Sequence, residues 1–206
     1  MLNKDTKIYG SFSIVPGNNG CNFFNSLFEK NGINAIYKPF AITDIEEAIE
    51  AAKQLKFSGV AIAAPYKILA YEYVDVLHET ALYSVSINTI KFRDNITVGF
   101  NTDYLAALQM ILPHQSKFTS IYVLGAGGLA RAVIAASNNI GYKVNNIVRS
   151  NWDDIRDIKD GLIFNCTPVY NTVDSSNIYI DCIIGTPTGN EFFLIQATEQ
   201  YKIYEP

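Results

Sequence analysis

Long apolar runs are missing from this chain: nowhere do about 18 uninterrupted apolar residues occur, so no membrane-spanning segment is expected. Residues 1–7 carry no apolar stretch of signal-peptide length, and a cytoplasmic location is expected. Cysteine is scarce and odd in number. Cys21, Cys166 and Cys182 lie far apart without paired spacing, which argues against a disulfide framework and a zinc site and for small buried hydrophobes. Histidine is scarcer still: His78 and His114 stand outside any short metal motif, so a histidine-based metalloenzyme is excluded and no metal site is expected. A basic excess is also absent. Sixteen Lys and Arg against twenty Asp and Glu leave a net charge of −4, and no stretch gathers the cations that nucleic-acid binding requires. What remains is a chain of 206 residues, 49% hydrophobic and 17% charged, which can bury a core and does not fit disorder. Its length suits one large or two small domains.

Strand-like and helical patterns alternate, as in an α/β protein with a largely parallel sheet. Residues 6–14 read as a strand, 22–30 as a helix closed by Asn31 and Gly32, and 34–40 as the next strand. Thr43 takes the N-cap position of the following helix, Glu46 completes a capping box, and Ile45, Ala48, Ile49, Ala52 and Leu55 form its apolar stripe. The small apolar run 59–64 reads as a strand ended by Pro65, and a helical pattern begins near Lys67. Residues 87–93 and 96–101 flank Asp94-Asn95 as a hairpin, after which Thr102-Asp103 open a helix. Residues 113–117 are polar and aperiodic, which marks them as the expected domain boundary. A second series follows, with strands at 120–124, 143–148, 162–165 and 179–184, a helix at 129–138 and an amphipathic C-terminal helix at 192–204.

Between the first strand and the helix of that series stands Gly125-Ala126-Gly127-Gly128-Leu129-Ala130-Arg131. Read as a dinucleotide site, Gly125 permits the tight turn and Gly127 lets the backbone approach a pyrophosphate. Ala130 allows close helix packing, and the helix start at Ala126, Gly128 and Leu129 supplies amides and a positive dipole. The bland alternative is a tight turn without a ligand. The next strand ends Ile147-Val148-Arg149-Ser150, without the acidic residue that accepts a ribose 2′-hydroxyl. Arginine there can pair with a 2′-phosphate, which favours NADP over NAD. The alternative is a solvated surface arginine, with Asp153 and Asp154 close by.

The order of motifs across almost the whole chain resembles shikimate dehydrogenases and their close relatives. Gly59-Val60-Ala61-Ile62-Ala63-Ala64-Pro65-Tyr66-Lys67 is similar to the family's G-x-N-V-T-x-P-x-K segment, Ser86-Ile87-Asn88-Thr89 to A-V-N-T, and Gly99-Phe100-Asn101-Thr102-Asp103 to G-x-N-T-D. The glycine turn resembles G-A-G-G-A-A-R, Val148-Arg149-Ser150 resembles N-R-T, and Asn165-Cys166-Thr167-Pro168 resembles the N-A-T-P turn beside the nicotinamide. Gln196-Ala197, with Tyr201 and Tyr204 downstream, resembles the C-terminal Q-A helix. The resemblance implies a catalytic pair, with Lys67 as principal acid/base and Asp103 as orienting and electrostatic partner. It also implies Asn88, Asn101 and Gln196 as contacts to substrate hydroxyls and Thr167 as a contact to the cofactor.

The departures fall where that family holds its substrate. Aligned through Phe28 and Gly32, Phe24 and Asn25 take the early H-N pair. The two serines of the S-x-S carboxylate motif then correspond to Asn18 and Gly20, with Ser11 and Ser13 out of register; Asn18 is thus the expected substrate contact there. Ala63 replaces the threonine of V-T-x-P and Ala61 the preceding asparagine, while Tyr170 takes a glycine position where a left-handed backbone would be strained. Residues 1–113 are expected as an α/β substrate-binding and catalytic domain, with a C-terminal helix at 191–206 packing back on it. Residues 118–188 are expected as a shortened Rossmann-type NADP-binding domain. The implied activity is NADP-dependent interconversion of 3-dehydroshikimate and shikimate, or of a closely related cyclic hydroxy acid, by a monomer or homodimer without nucleic-acid or membrane partners. The competing reading is a weak or inactive relative that binds nucleotide or a small ligand.

Overall fold

The structure, a computed structural model, describes residues 2–206 and divides into two compact units. The first takes the residues up to Thr102 together with Ala197–Pro206, and the second takes Asp103–Gln196.

In the first unit β1 (Lys7–Ser13), α1 (Asn19–Lys30), β2 (Ala35–Ala41), α2 (Ile45–Gln54) and β3 (Gly59–Ile62) follow one another as βαβ crossovers. They are followed by β4 (Val76–Leu77), α3 (Glu79–Ser84), β5 (Thr89–Arg93) and β6 (Ile96–Phe100). The six strands form one mixed sheet in the order β2-β1-β3-β5-β6-β4. β1, β2 and β3 are parallel, whereas β5 runs antiparallel to both β3 and β6. Asp94 and Asn95 turn that hairpin with φ of 49° and 68°, the left-handed pair a two-residue connection needs. Ile45, Ile49 and Ala52 bury one face of α2 against Phe12, Val60, Ile62 and Ile90.

Local rules misplace some edges here. The N-cap of α2 is Asp44, not Thr43: its extended backbone lets the carboxylate accept from Glu47 N–H at 3.0 Å. The helical pattern near Lys67 yields only a 3₁₀ turn at Leu69–Tyr73. Val85 closes α3 with φ of 46°, a region that disfavours a β-branched side chain. Its side chain is 48% exposed, so little packing depends on it. The left-handed conformation costs a non-glycine residue about 1–2 kcal/mol, and glycine's extra unfolded-state entropy offsets part of the relief. Val85→Gly is therefore expected to stabilise the protein by about 1 kcal/mol or less, seen as a higher urea midpoint at unchanged m-value.

The second unit holds α4 (Thr102–Ile111) from Asp103 on, then β7 (Ser120–Leu124), α5 (Gly128–Asn139), β8 (Lys143–Ile147), β9 (Leu162–Asn165) and β10 (Ile178–Asp181). It ends in the first half of α6 (Pro187–Tyr204). Its sheet is wholly parallel, in the order β10-β9-β7-β8. All four residues of β9 are buried, as a central parallel strand covered on both faces requires. Strand order reverses between β7 and β9, the switch point at which open α/β sheets bind ligands. Tyr104, Ala107 and Ile111 of α4 pack with Val133 and Ala136 of α5 and with Phe164. The division therefore falls in the first turn of α4, between Thr102 and Asp103, instead of at 113–117, because the helix's apolar residues, not the polar link behind it, decide which core it joins. α6 starts five residues ahead of Phe192: Thr186 Oγ1 accepts from Gly189 N–H at 3.0 Å, and Pro187 occupies the first helical position. The three cysteines are free thiols, half-buried instead of fully buried.

Candidate functional site

In the first unit Lys67 stands on the turn that leaves β3. Tyr66 N–H donates to Ala63 O at 3.0 Å, and the Tyr66 hydroxyl donates to Ile42 O at 3.0 Å. Lys67 O accepts from Ile87 N–H at 2.8 Å. The last contact ties the lysine's main chain to the segment that enters β5, next to Asn88. Asn88 is buried, and its main chain bridges strand ends: N–H donates to Phe100 O and O accepts from Ile62 N–H. Its side-chain oxygen accepts from Thr102 N–H at 2.8 Å, and its nitrogen donates to Thr102 Oγ1 at 2.9 Å. Lys67 and Asn88 are thus brought to adjoining stretches of one unit.

Asn101 behaves differently from expectation. It is fully buried, and its amide nitrogen donates to Ser84 Oγ, Ser86 O and Ser86 Oγ at 2.9 to 3.0 Å, so that nitrogen is spent on holding the loop before β5. Asn18 is exposed at the N-cap of α1 and makes no side-chain cap. Asn25 clamps α1 to β2, its amide exchanging two hydrogen bonds with the Tyr37 main chain at 2.8 and 2.9 Å. Near Gly20 lies a hydroxyl pair that the alignment passed over. A Cβ on Gly20 would sit 3.1 Å from the Tyr37 hydroxyl, which has Ser11 as its hydrogen-bonding neighbour. Burial holds the Tyr37 phenol well above the usual tyrosine range, against the lowering influence of Ser11, so it stays neutral. The available signal was the literal Ser11-Phe12-Ser13 sequence, which a strand's period of two points to one face.

In the second unit Asp103 lies in the first turn of α4, 3% exposed, and Gln196 is half-buried on α6. Gly125 leaves β7 with φ of 112°, a conformation that favours glycine, and its N–H donates to Ile147 O at 2.8 Å. A Cβ there would lie 3.1 Å from the Thr167 methyl, so only glycine lets the turn and Thr167 approach so closely. Ala126 and Gly127 are exposed, Gly127 is the extended N-cap of α5 without a side-chain cap, and a Cβ on it would meet nothing within 4 Å. Gly128 and Leu129 begin the helix, and Ala130 is fully buried in the core. Asn146, absent from the expected site, fastens the turn by donating to Val123 O at 2.9 Å and Gly125 O at 2.8 Å. Arg149 and Ser150 are exposed just beyond β8. The Thr167 hydroxyl donates to Asn165 Oδ1 at 2.7 Å, and Asn165 Nδ2 donates to Val169 O at 2.8 Å. With the turn closed this way Tyr170 needs no left-handed backbone; its φ is not positive and its side chain is 69% exposed. Among the described residues no group of three or more His, Cys, Asp or Glu could hold a metal ion, and no helix is long and apolar enough to cross a membrane.

The family described as Shikimate dehydrogenase substrate binding domain matches residues 19–90, which run from α1 through Lys67 and Asn88 into β5. A shikimate dehydrogenase (NADP(+)) of Clostridium beijerinckii is 30% identical over 181 residues, covering 77% of this chain and 67% of that protein. The chain belongs to the shikimate dehydrogenase family. A shikimate dehydrogenase-like protein of Haemophilus influenzae is 39% identical over 144 residues, 69% of this chain and 53% of that protein. The chain spans about half the length of the first curated relatives it matches. The solved structure of shikimate dehydrogenase from Aquifex aeolicus matches with a TM-score of 0.84 at 26% identity, covering 99% of this chain and 94% of that one. The α/β architecture with parallel strands in both units is that of the shikimate dehydrogenase family.

Proposed function

We propose that this member of the shikimate dehydrogenase family is an NADP-dependent oxidoreductase that interconverts 3-dehydroshikimate and shikimate, or a closely related cyclic hydroxy acid. The observation that carries this reading is the Ile87 N–H to Lys67 O hydrogen bond of 2.8 Å, which pins the lysine-bearing turn beside Asn88. The glycine turn suits the nucleotide: Gly127 leaves open space where a side chain would stand, α5 starts there, and Arg149 is exposed beyond the next strand. Gly125, Ala126, Gly127, Gly128 and Leu129 would hold the pyrophosphate, with Ala130 packing the helix closely beneath them, Arg149 and Ser150 the 2′-phosphate, and Thr167 the nicotinamide end. When bound, NADPH supplies the hydride. The chain's own task is the proton. Lys67 donates it to the carbonyl oxygen during reduction and takes it from the hydroxyl in the reverse direction. Asp103, in the first turn of α4, orients the reacting hydroxyl. In this reading Asn88 and Gln196 hold substrate hydroxyls, and Asn18 contacts the substrate in place of the first serine of the carboxylate motif.

A second reading has its own support, since Asn18, Gly20 and Ala63 offer no hydroxyl where the family motif has three. It makes the chain a weak or inactive relative that binds nucleotide or a small ligand. One assay separates the two. Purified protein with 3-dehydroshikimate is expected to oxidise NADPH in preference to NADH, and Asp103→Asn is expected to lose most of kcat while KM for NADPH stays unchanged. Absence of turnover with a panel of cyclic hydroxy acids, beside calorimetric nucleotide binding, would establish the second reading instead.

A further inference from the structure

We propose that Gln200, acting through Thr89, reinforces the orientation that Thr102 N–H gives the Asn88 amide and is thereby a positioning residue for the substrate contact at Asn88; this rests on the activity proposed above. Gln200 lies on α6, four residues beyond the family-matched Gln196, and is 2% exposed. Its Nε2 donates to Thr89 Oγ1 at 2.7 Å and to Asn88 O at 3.3 Å. A threonine hydroxyl that accepts from an N–H keeps its single hydrogen to give elsewhere. Thr89, fully buried, gives it to Asn88 Oδ1 at 2.9 Å.

The same Asn88 oxygen accepts from Thr102 N–H at 2.8 Å, a group that can only donate. These two donors, with Thr102 Oγ1 also 3.2 Å away, converge on one atom of the amide and identify it as the oxygen. The nitrogen is then the other end, donating to Thr102 Oγ1 at 2.9 Å. Turning the amide over would set N–H against N–H and N–H against O–H among groups exposed by 3% or less. Gln200 is what commits the Thr89 hydroxyl: without its N–H, that hydroxyl can turn its hydrogen toward another acceptor, which leaves Thr102 N–H to hold the Asn88 oxygen without it. With the relay in place, a substrate hydroxyl meeting the Asn88 side chain meets an N–H donor, so it accepts there and keeps its own proton for the acid/base group.

The test compares Gln200→Met and Thr89→Val, which keep approximate volume and remove the relayed hydrogen, with Thr89→Ser, which keeps the hydroxyl. Two quantities are read: the Asn88 side-chain amide signals in 15N-labelled protein, and the separate KM and kcat for 3-dehydroshikimate. Gln200→Met and Thr89→Val are each expected to split or broaden the Asn88 amide signals and to raise KM about tenfold at little change in kcat or in KM for NADPH. The double variant is expected to be no worse than either single one, because one relay breaks once, and Thr89→Ser is expected to restore both readouts. Undisturbed Asn88 signals in both single variants, an unchanged KM, or an additive double variant would overturn the proposal. Should Gln200→Met not fold, the Thr89→Val and Thr89→Ser pair decides. If the wild type turns over no cyclic hydroxy acid, the proposed activity falls by that result, and the Asn88 signals alone decide whether the relay stands.

Discussion

Lys67→Ala is expected to lose about 10²–10⁴-fold in kcat for the reduction of 3-dehydroshikimate, the range that a positioned general acid contributes. A ketone oxygen gathers negative charge as hydride reaches its carbon, and a proton must arrive with it. The turn that bears Lys67 is held by main-chain contacts and by Tyr66, namely Ile87 N–H on Lys67 O and the Tyr66 hydroxyl on Ile42 O. Alanine keeps the carbonyl and leaves Tyr66 in place, so the ammonium goes while the loop stays. Nucleotide affinity is accordingly expected to remain that of the wild type. Lys67→Arg sharpens the test. It retains a positive charge, but a guanidinium does not give up its proton in a protein, so this variant is expected to stay nearly as slow as alanine. Recovery of wild-type kcat in Lys67→Arg would mean that the site needs charge and not proton transfer, and full activity in Lys67→Ala would remove the lysine from the chemistry. Both are read from steady-state constants at saturating NADPH, with thermal unfolding as control.

Gly59→Ala is expected to carry the largest cost to stability. A Cβ at this first residue of β3 would collide with Tyr204 Cε1 and lie 2.6 Å from Cδ1 of the same ring and 3.2 Å from Ile90 O. The Tyr204 ring cannot withdraw: it is 2% exposed and packs against Tyr9 and Phe24, with ring centroids 4.8 and 5.7 Å away. The strand cannot withdraw either, since β3 is hydrogen-bonded to β1 on one side and β5 on the other. Overpacking of this kind costs about 1–3 kcal/mol, and the upper end is expected because both sides of the collision are held. At about 2–4 °C per kcal/mol for a chain of this size, the thermal midpoint should fall by several degrees. Pairing it with Tyr204→Leu, which clears the ring, is expected to make the alanine nearly neutral. If Gly59→Ala costs as much in that background as alone, the clash with Tyr204 is not its cause.

Several elements were legible because their signals are local. The glycine turn between β7 and α5, the Asp94-Asn95 hairpin and the apolar stripe of α2 each announce themselves within a dozen residues, and each stands where the pattern puts it, except that Leu55 of the expected stripe caps the helix with its side chain 65% exposed. The one-residue shift of the N-cap from Thr43 to Asp44 shows how far such signals reach, since both residue types can cap and only the backbone conformation chooses. Two elements, β4 and α3, were not legible. A two-residue strand carries no period, and the six-residue α3 is too short to show a stripe.

In the candidate site the division is sharper. Lys67, Asn88, Asp103 and the glycine turn stand out in sequence because each belongs to a short contiguous motif. The roles of the amides around them do not. Asn101 binds residues 15 and 17 positions back, Asn146 binds a strand and turn 21 and 23 positions back, and Gln200 reaches Thr89 across 111 positions. By itself the sequence determined the α/β series, the family and the residue types available for proton and nucleotide chemistry, because periodicity, turn propensity and contiguous motifs are properties of neighbours along the chain. Only the tertiary structure decided which amides hold the fold, which hydroxyl orients which amide, and where α4 belongs, because buried polar groups must find partners wherever the packed strands bring them, and such pairings have no period along the chain.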